Sequence, residues 1–558
     1  MIDRRRFLGQ SAGVGAGAAL MSASPALAAF EGALDTAWLN ARIWTGTGPA
    51  IFADAIGVRG DRIAAVGAAA VRAKTTSRTR TIDLKGAFVT PGFIDCHTHF
   101  TNASTMLSQA SLRTAASPEA FTRQVAEAAR ALPKGEWLQG GNWDQDRWGG
   151  RMPHRSWIDA VTPDTPVAVI RYDLHMLLVN SLGLKLAGID RNTPDVPGGV
   201  IERDANGEPT GIVKDAAKDL VLRAIGEPSH AQIDAAVRKG IDVALSKGVT
   251  QVHTTELDWI THDATRRLRA AGEPSIRFRN YMPLKDWERQ AALIAAEGRG
   301  DDWVHWGGCK VVFDGSLGSR TALFYDPYLD EPGTRGIVVT DPADLKNWMQ
   351  AADKSGLQIT AHAIGDEAND VVLDTMAQIV ATNGKRDRRF RVEHVQHLKP
   401  AAISRFAKQG VIASLQPYHA IDDGRWAIRR IGPERLKTSF ALGSLVQSGA
   451  HVCLGSDWPV APLDPLTGLQ AAVVRETLDG AHPGGWYPEQ RITLAQALRG
   501  YTYEGAYAGF AEQKVGAIAV GMLADFVVFD RDLFAIPASN LTDAKVLRTV
   551  VGGVQRFG

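Results

Sequence analysis

The stretch Gly92-Phe-Ile-Asp-Cys-His-Thr-His-Phe100, GFIDCHTHF, follows GAFVTP and decides how the rest of the chain is read. An apolar run ends in two histidines one residue apart. A strand turns alternate side chains to opposite faces, so His97 and His99 point the same way, with Thr98 opposite. Two imidazoles converging at a strand end suit a metal ion. A pair of histidines capping a core strand is the plainer alternative. The choice turns on whether the rest of the chain supplies the missing ligands.

The chain has 558 residues, 45% hydrophobic and 22% charged, which is enough for a large core and more than one ordinary domain. A net charge of +1 gives no reason to expect nucleic acid or an anionic surface as partner. Cys96, Cys309 and Cys453 are far apart and form no Cys-x-x-Cys, which argues against a disulfide framework or a thiolate zinc knuckle. Residues 1–28 stand apart from the fold. DRRRFLGQ, a small-residue apolar run and ALAA read as an export signal with cleavage after Ala28. The arginine pair resembles a twin-arginine signal and places the protein in the periplasm or outside the cell. The apolar run is too short and glycine-rich to span a bilayer, and no other segment reads as a membrane span.

From 29 to 88 the pattern is short alternating strands with glycine punctuation, and 506–558, with GMLADFVVFDRD and VLRTVVGGVQRFG, reads the same way. One β-sandwich built from both chain ends is expected. Between them, 89–505 alternates strands and helices. GFIDCHTH, VTQVHTT, SIRFRNYM, CKVVFDG, LQITAHA, RFRVEHV, VIASLQP and HVCLGSD are eight candidate strands, the number for a distorted (β/α)8 TIM barrel in the α/β class. An open doubly wound sheet is the alternative, but no glycine-rich phosphate turn follows the first strand. About 120–215 reads as an insertion after barrel strand 1, with a hairpin turning at Asn206-Gly207.

Barrel enzymes do their chemistry at the C-terminal ends of the strands. Those ends carry His97 and His99 on strand one, His362 on strand five, His394 on strand six and Asp457 on strand eight; Lys310 opens strand four. Singly, the histidines could be core residues, the aspartate a turn cap and the lysine half of an ion pair. Jointly they converge on one mouth, and nitrogen and oxygen donors suit zinc or a similar divalent ion.

PGFIDCHTH, KVVFDGSLGSRTA, AHAIGD, RVEHVQH and GSDWPV together resemble the amidohydrolase superfamily, in its amidohydrolase-3 branch with N-substituted formamide deformylase-like and exoenzyme-like proteins. The resemblance covers nearly all of the chain beyond the signal. It implies a metal-dependent hydrolase in which His97, His99 and Asp457 bind the more buried ion and His362 and His394 a second. Lys310 matches a lysine that many relatives carboxylate to bridge two metals, so one or two ions per chain are expected. Asp457 would act as general base and then general acid. Asp366 and Glu393 are candidates for fixing histidine tautomers. Arg320, His175, Trp143, Trp458 and Tyr418 are candidates for contacting a small-molecule substrate, and a homo-oligomer is left open. The expected reaction is hydrolysis of a non-peptide carbon–nitrogen bond: amide, N-formyl, carbamate or cyclic amide. A lactone or ester hydrolase with the same site, and a non-catalytic binding protein on the same scaffold, are the competing readings.

Overall fold

The computed structural model describes residues 32–558, apart from 49, 134, 227 and 274. The export-signal reading of residues 1–28 lies outside the described residues. Eight parallel strands form the barrel: β1 (Phe93–Thr98), β2 (Val249–Thr254), β3 (Arg277–Pro283), β4 (Val304–Val312), β5 (Gln358–Ala363), β6 (Arg391–His394), β7 (Ile412–Leu415) and β8 (Val452–Leu454). Each pairs with the next in chain order, as the sequence led us to expect. A parallel bridge from Thr98 to Trp458, just past β8, nearly closes the ring. Most of these strands are buried along their whole length, which is why they read as continuous apolar runs. Gly92 lets β1 approach β2, since a Cβ there would lie 2.2 Å from the Thr250 hydroxyl oxygen.

Helices cover the outside. His230–Ser246 starts at a capping box made by Ser229 and Gln232, and buries Ile233, Val237, Ile241 and Leu245 on one face. Among the described residues no helix is long and apolar enough to cross a membrane.

Both chain ends build the sandwich. One six-stranded sheet runs in the order Val554–Phe557, Val546–Val551, Phe526–Phe529, Phe88–Pro91, Arg42–Trp44, Phe52–Ala53. A four-stranded sheet of Arg62–Val66, Ile56–Arg59, Thr36–Leu39 and Arg80–Asp83 faces it across Trp38, Ile56, Val89 and Phe526. Alternation along Phe526–Phe529 explains how one sheet serves two cores. Phe526 and Val528 face the sandwich, while Val527 and Phe529 join Phe93 and Val249 in the barrel core. Arg277 of β3 also ties the units together, donating from Nε and Nη2 to Asp525 at 2.6 and 2.9 Å in a buried fork.

The insertion reaches further than the expected 120–215. Its sheet begins at Ala110–Ser111, runs through Gly140–Trp143, Ala168–Arg171 and Met176–Val179 to a hairpin of Gly199–Arg203 and Pro209–Asp215, and is followed by the helix Lys218–Ile225. A two-residue strand carries no alternation to read. The hairpin turns where expected, with Gly207 at φ 80°.

Candidate active site

Five barrel elements deliver the cluster: β1 carries His97 with His99 just past its end, β4 carries Lys310, β5 His362, β6 ends with His394, and the loop after β8 carries Asp457. Asp95 stitches β1 to that loop, accepting from the Ser456 and His97 amides at 2.9 and 3.2 Å. The Asp457 amide donates to the His97 carbonyl at 2.7 Å. Gly455 allows this approach, because a Cβ there would lie 2.7 Å from the His97 nitrogen. Asp457 and His394 both sit at left-handed φ, 62° and 75°, a conformation that non-glycine residues keep only when their surroundings hold it.

His97 Nε2 and His99 Nε2 lie 3.4 and 3.2 Å from Asp457 Oδ1. On the other carboxylate oxygen, His419 Nε2 and His394 Nδ1 lie at 3.7 and 3.9 Å. Each trio, His97–His99–Asp457 and His394–His419–Asp457, offers ligand atoms within 4.8 Å of one another. Donors bound at about 2.1 Å in tetrahedral geometry stand about 3.4 Å apart, so the first trio is spaced for an ion. Asp457 Oδ1 and His419 Nε2 are moreover buried without a hydrogen-bond partner among the described residues. Such orphaned atoms are costly unless a ligand completes them. The residues present fit a divalent metal.

Electrostatics favour the ligand forms. Burial, and then the charge of Lys310, push His97 down to about 4, so it stays neutral. Its Nδ1 faces Glu393 Oε2 at 2.6 Å, which leaves Nε2 with the free lone pair on the site side. Burial and neighbouring imidazoles likewise hold His362 and His394 well below the usual histidine range. Burial alone would raise Asp457, but His97 and His99 outweigh it and keep the carboxylate ionised. Lys310 is 2% exposed, and burial brings it down to about 8. Its Nζ lies 3.4 Å from His97 Nε2, and no described carboxylate stands within ion-pair distance of it.

The profile of the amidohydrolase family matches residues 80–557. The chain belongs to the amidohydrolase family. Protein LONG AFTER FAR-RED 3 of Arabidopsis thaliana is 39% identical over 531 residues, covering 93% of this chain and 91% of that protein. N-substituted formamide deformylase of Arthrobacter pascens is 29% identical over 540 residues, covering 93% and 97%. An uncharacterized metal-dependent hydrolase from Pyrococcus horikoshii superposes with a TM-score of 0.74 at 27% identity, over 90% of this chain and 99% of its own. With hydrolases among its relatives and structural neighbours, this amidohydrolase is a hydrolase.

A cavity of about 970 Å³ separates the barrel mouth of this amidohydrolase from its insertion. His99, Lys310, His362, His394, His419 and Asp457 form its floor, and Met106, Ile170, Leu177, Leu222 and Leu257 line apolar walls. His175 enters from the insertion, its ring 5.4 Å from that of His362, held by Asp215 at 2.7 Å from Nδ1.

Sequence reasoning missed His419, in the helix Pro417–Asp423 after β7, because it looked only at strand ends. The expected pair His362 and His394 stand side by side, ring centroids 4.5 Å apart; His394, His419 and Asp457 also offer ligand atoms within 4.8 Å of one another, and His362 Nε2 lies 3.1 Å from the Gly315 carbonyl oxygen and 3.5 Å from Asp314. Asp314, fixed by the Leu323, Ile364 and Gly365 amides, was also missed. Glu393 is placed as a tautomer-fixing partner. Asp366 is not: it accepts from the Tyr325 amide and pairs with Lys399.

Four expected substrate contacts do not line the cavity. Trp143 is fully buried in the insertion core and donates from Nε1 to the Val169 carbonyl at 2.8 Å. Trp458 packs edge-on against Phe100 in the barrel core, ring centroids 5.5 Å apart. Tyr418 points to Arg113, turning its neighbour His419 to the cavity. Arg320 is drawn off by Asp330 and Glu331, at 2.9 and 3.3 Å.

Proposed function

We propose that this amidohydrolase cleaves a non-peptide carbon–nitrogen bond in a small amide, N-formyl compound, carbamate or cyclic amide, using one or two divalent ions, with zinc favoured by the imidazole–carboxylate donor set. One observation carries the reading: a buried, ionised Asp457 whose Oδ1 has no hydrogen-bond partner, ringed by His97, His99, His394 and His419. The bound ion supplies Lewis acidity toward a carbonyl and acidifies water. His97, His99 and Asp457 would hold one ion, and His394 and His419, with His362 adjacent, a second. Asp457 is positioned to take a proton from the attacking water and return it to the leaving nitrogen. Glu393 keeps His97 in one tautomer throughout.

Lys310, buried with no carboxylate in ion-pair reach among the described residues, is the residue we assign to carboxylation by carbon dioxide. The added oxygens would turn a buried amine into an anionic donor, offsetting the charge of two ions. The apolar upper walls favour a substrate with an apolar or aromatic substituent. The deformylase among the relatives puts N-formyl compounds first in the series to try. The arginine pair of residues 4–5 supports export to the periplasm.

The test is metal analysis of the purified chain together with hydrolysis of matched N-formyl, N-acyl, carbamate and lactone substrates. Bound metal with turnover of a nitrogen-linked substrate supports the reading. Turnover of lactones or esters alone moves it to the other bond class, and a chain without metal or turnover overturns it. Exchanging Arg4 and Arg5 for lysine tests export, with precursor retained in the cytoplasm as the expected outcome.

A further inference from the structure

At the far end of the barrel from the candidate site lies a second cavity, of about 300 Å³, among Arg279 of β3, Gly307 and Gly308 of β4, Gln358 of β5 and the segment leading into β6. Its walls carry four arginines, Arg279, Arg299, Arg386 and Arg388. Guanidinium groups keep their charge at any pH proteins meet, so the charges facing this space have to be balanced or tolerated. Asp353 serves Arg386 and Arg388 together, the latter at 2.8 Å from Nε. Asp387 on the rim is paired with Arg389, which also forks onto Glu512. That leaves Arg279 and Arg299 with no carboxylate in ion-pair reach among the described residues. Arg299 spends its nitrogens on the Gly307 and Gly356 carbonyls at 3.1 and 3.0 Å. Among the described residues Arg279 has no side-chain hydrogen-bond partner and its Nε is buried, and Arg388, 6% exposed, has an Nη2 in the same condition.

Arg279 and Arg299 are half-buried rather than sealed off, so their charges are partly solvated, but buried donors left without acceptors still carry a cost. The fold nevertheless makes room for them. Gly509 presses on Arg279, and a Cβ there would lie 2.5 Å from Arg279 Cδ. His305 on the same wall registers the field: burial, and then Arg279 and Arg299, push it down to about 3, so it adds no charge of its own. Tyr281 and the exposed Phe510 line the same space.

We propose that this cavity is a binding site for a phosphate-type oxyanion, free or carried by a small organic body, held by the guanidinium groups of Arg279 and Arg388 that line it. Fork-shaped guanidinium donors match such oxygens two at a time. The space exceeds what one oxyanion fills, which leaves room for an attached organic group. Nothing in the candidate active site enters this argument, so the two readings fail separately.

Inorganic phosphate titrated calorimetrically into the full metal-loaded chain tests it, with Arg279→Gln and Arg279→Lys alongside. We expect one saturable site beyond any binding at the metal, with affinity lowered about tenfold or more in Arg279→Gln, the scale of a charged hydrogen bond. The lysine variant should recover part of the loss, and turnover should stay unchanged in both. Glycerol phosphate binding tighter than phosphate would identify the carried form; equal affinity would identify the free ion. A chain with no such site, or with phosphate binding unaltered in Arg279→Gln, overturns the proposal. Phosphate should also raise the melting temperature of the parent chain more than that of Arg279→Gln. Equal shifts count against it even if one variant folds poorly.

Discussion

Two polar layers lie one above the other inside the same barrel, and they are finished differently. In the lower layer Arg391 uses every nitrogen: Nε to Glu393, Nη1 to His253 and the Tyr281 hydroxyl, Nη2 to the Cys96 carbonyl and Ser414. In the upper layer Asp457 Oδ1, His419 Nε2 and Gln416 Nε2 are buried with no partner. Glu393 belongs to both, giving one oxygen to Arg391 and Thr360 below and the other to His97 above. A closed layer of buried charge is structure. An open one, at the end of the barrel where a cavity arrives, is built for something that the chain itself does not supply.

The largest effect is expected from breaking the closed layer. Arg391→Met strands Glu393, whose carboxyl burial would raise but Arg391 holds well below its ordinary range. Removing one partner of a buried pair costs about 3–5 kcal/mol, and denaturant unfolding of the metal-free chain should show a loss of that size. A loss under about 1 kcal/mol would mean the lower layer is no more structural than the upper.

Asp457→Asn should do the reverse. Turnover should fall about 100-fold or more, the scale of lost general acid–base catalysis, or about 2.7 kcal/mol of barrier. The metal-free chain should lose less stability than with Arg391→Met, because the imidazoles that keep this carboxylate ionised are weaker partners than a buried guanidinium. Undiminished turnover in the metal-loaded variant would remove Asp457 from proton transfer.

A smaller effect discriminates within the open layer. His419→Asn should weaken retention of one ion about tenfold or more, measured as metal content after dialysis against a weak chelator. His362→Asn should weaken it less, since His362 Nε2 faces the Gly315 carbonyl and Asp314. The opposite ranking would favour the pairing read from the sequence, with His362 as the partner of His394.

That ranking also marks where the sequence stopped being legible. The barrel could be read because eight apolar runs recur between amphipathic helices, and most of the site because strand ends on one side carry His97, His99, His394 and Asp457. His419 lies inside a helix after β7, where no periodicity distinguishes a cavity-facing imidazole from any other. Asp314 was in view within VVFDGSLGSR, but its role depends on amides from residues 323, 364 and 365, contacts that exist only after folding. The insertion's lower edge was missed because its first strand is two residues long.

Trp143 sets the smallest effect and the sharpest limit on reading side chains as recognition elements. In GGNWDQDRWGG it stands among polar residues and glycines, as a tryptophan lining a pocket would. The fold instead turns it into the insertion core, where Phe121 meets its ring edge-on at 6.4 Å between centroids and Val169 accepts its Nε1 proton. Trp143→Phe keeps most of the buried ring and removes that donor, leaving the Val169 carbonyl short of one partner. The expected cost is about 1 kcal/mol of stability. Neither kcat/KM nor the preference among N-formyl, N-acyl and carbamate substrates should move, because the change stays behind the cavity wall. A shift in substrate preference with stability intact would show that the insertion transmits its core packing to the cavity, and the division between structural and functional polar groups would then extend beyond the barrel.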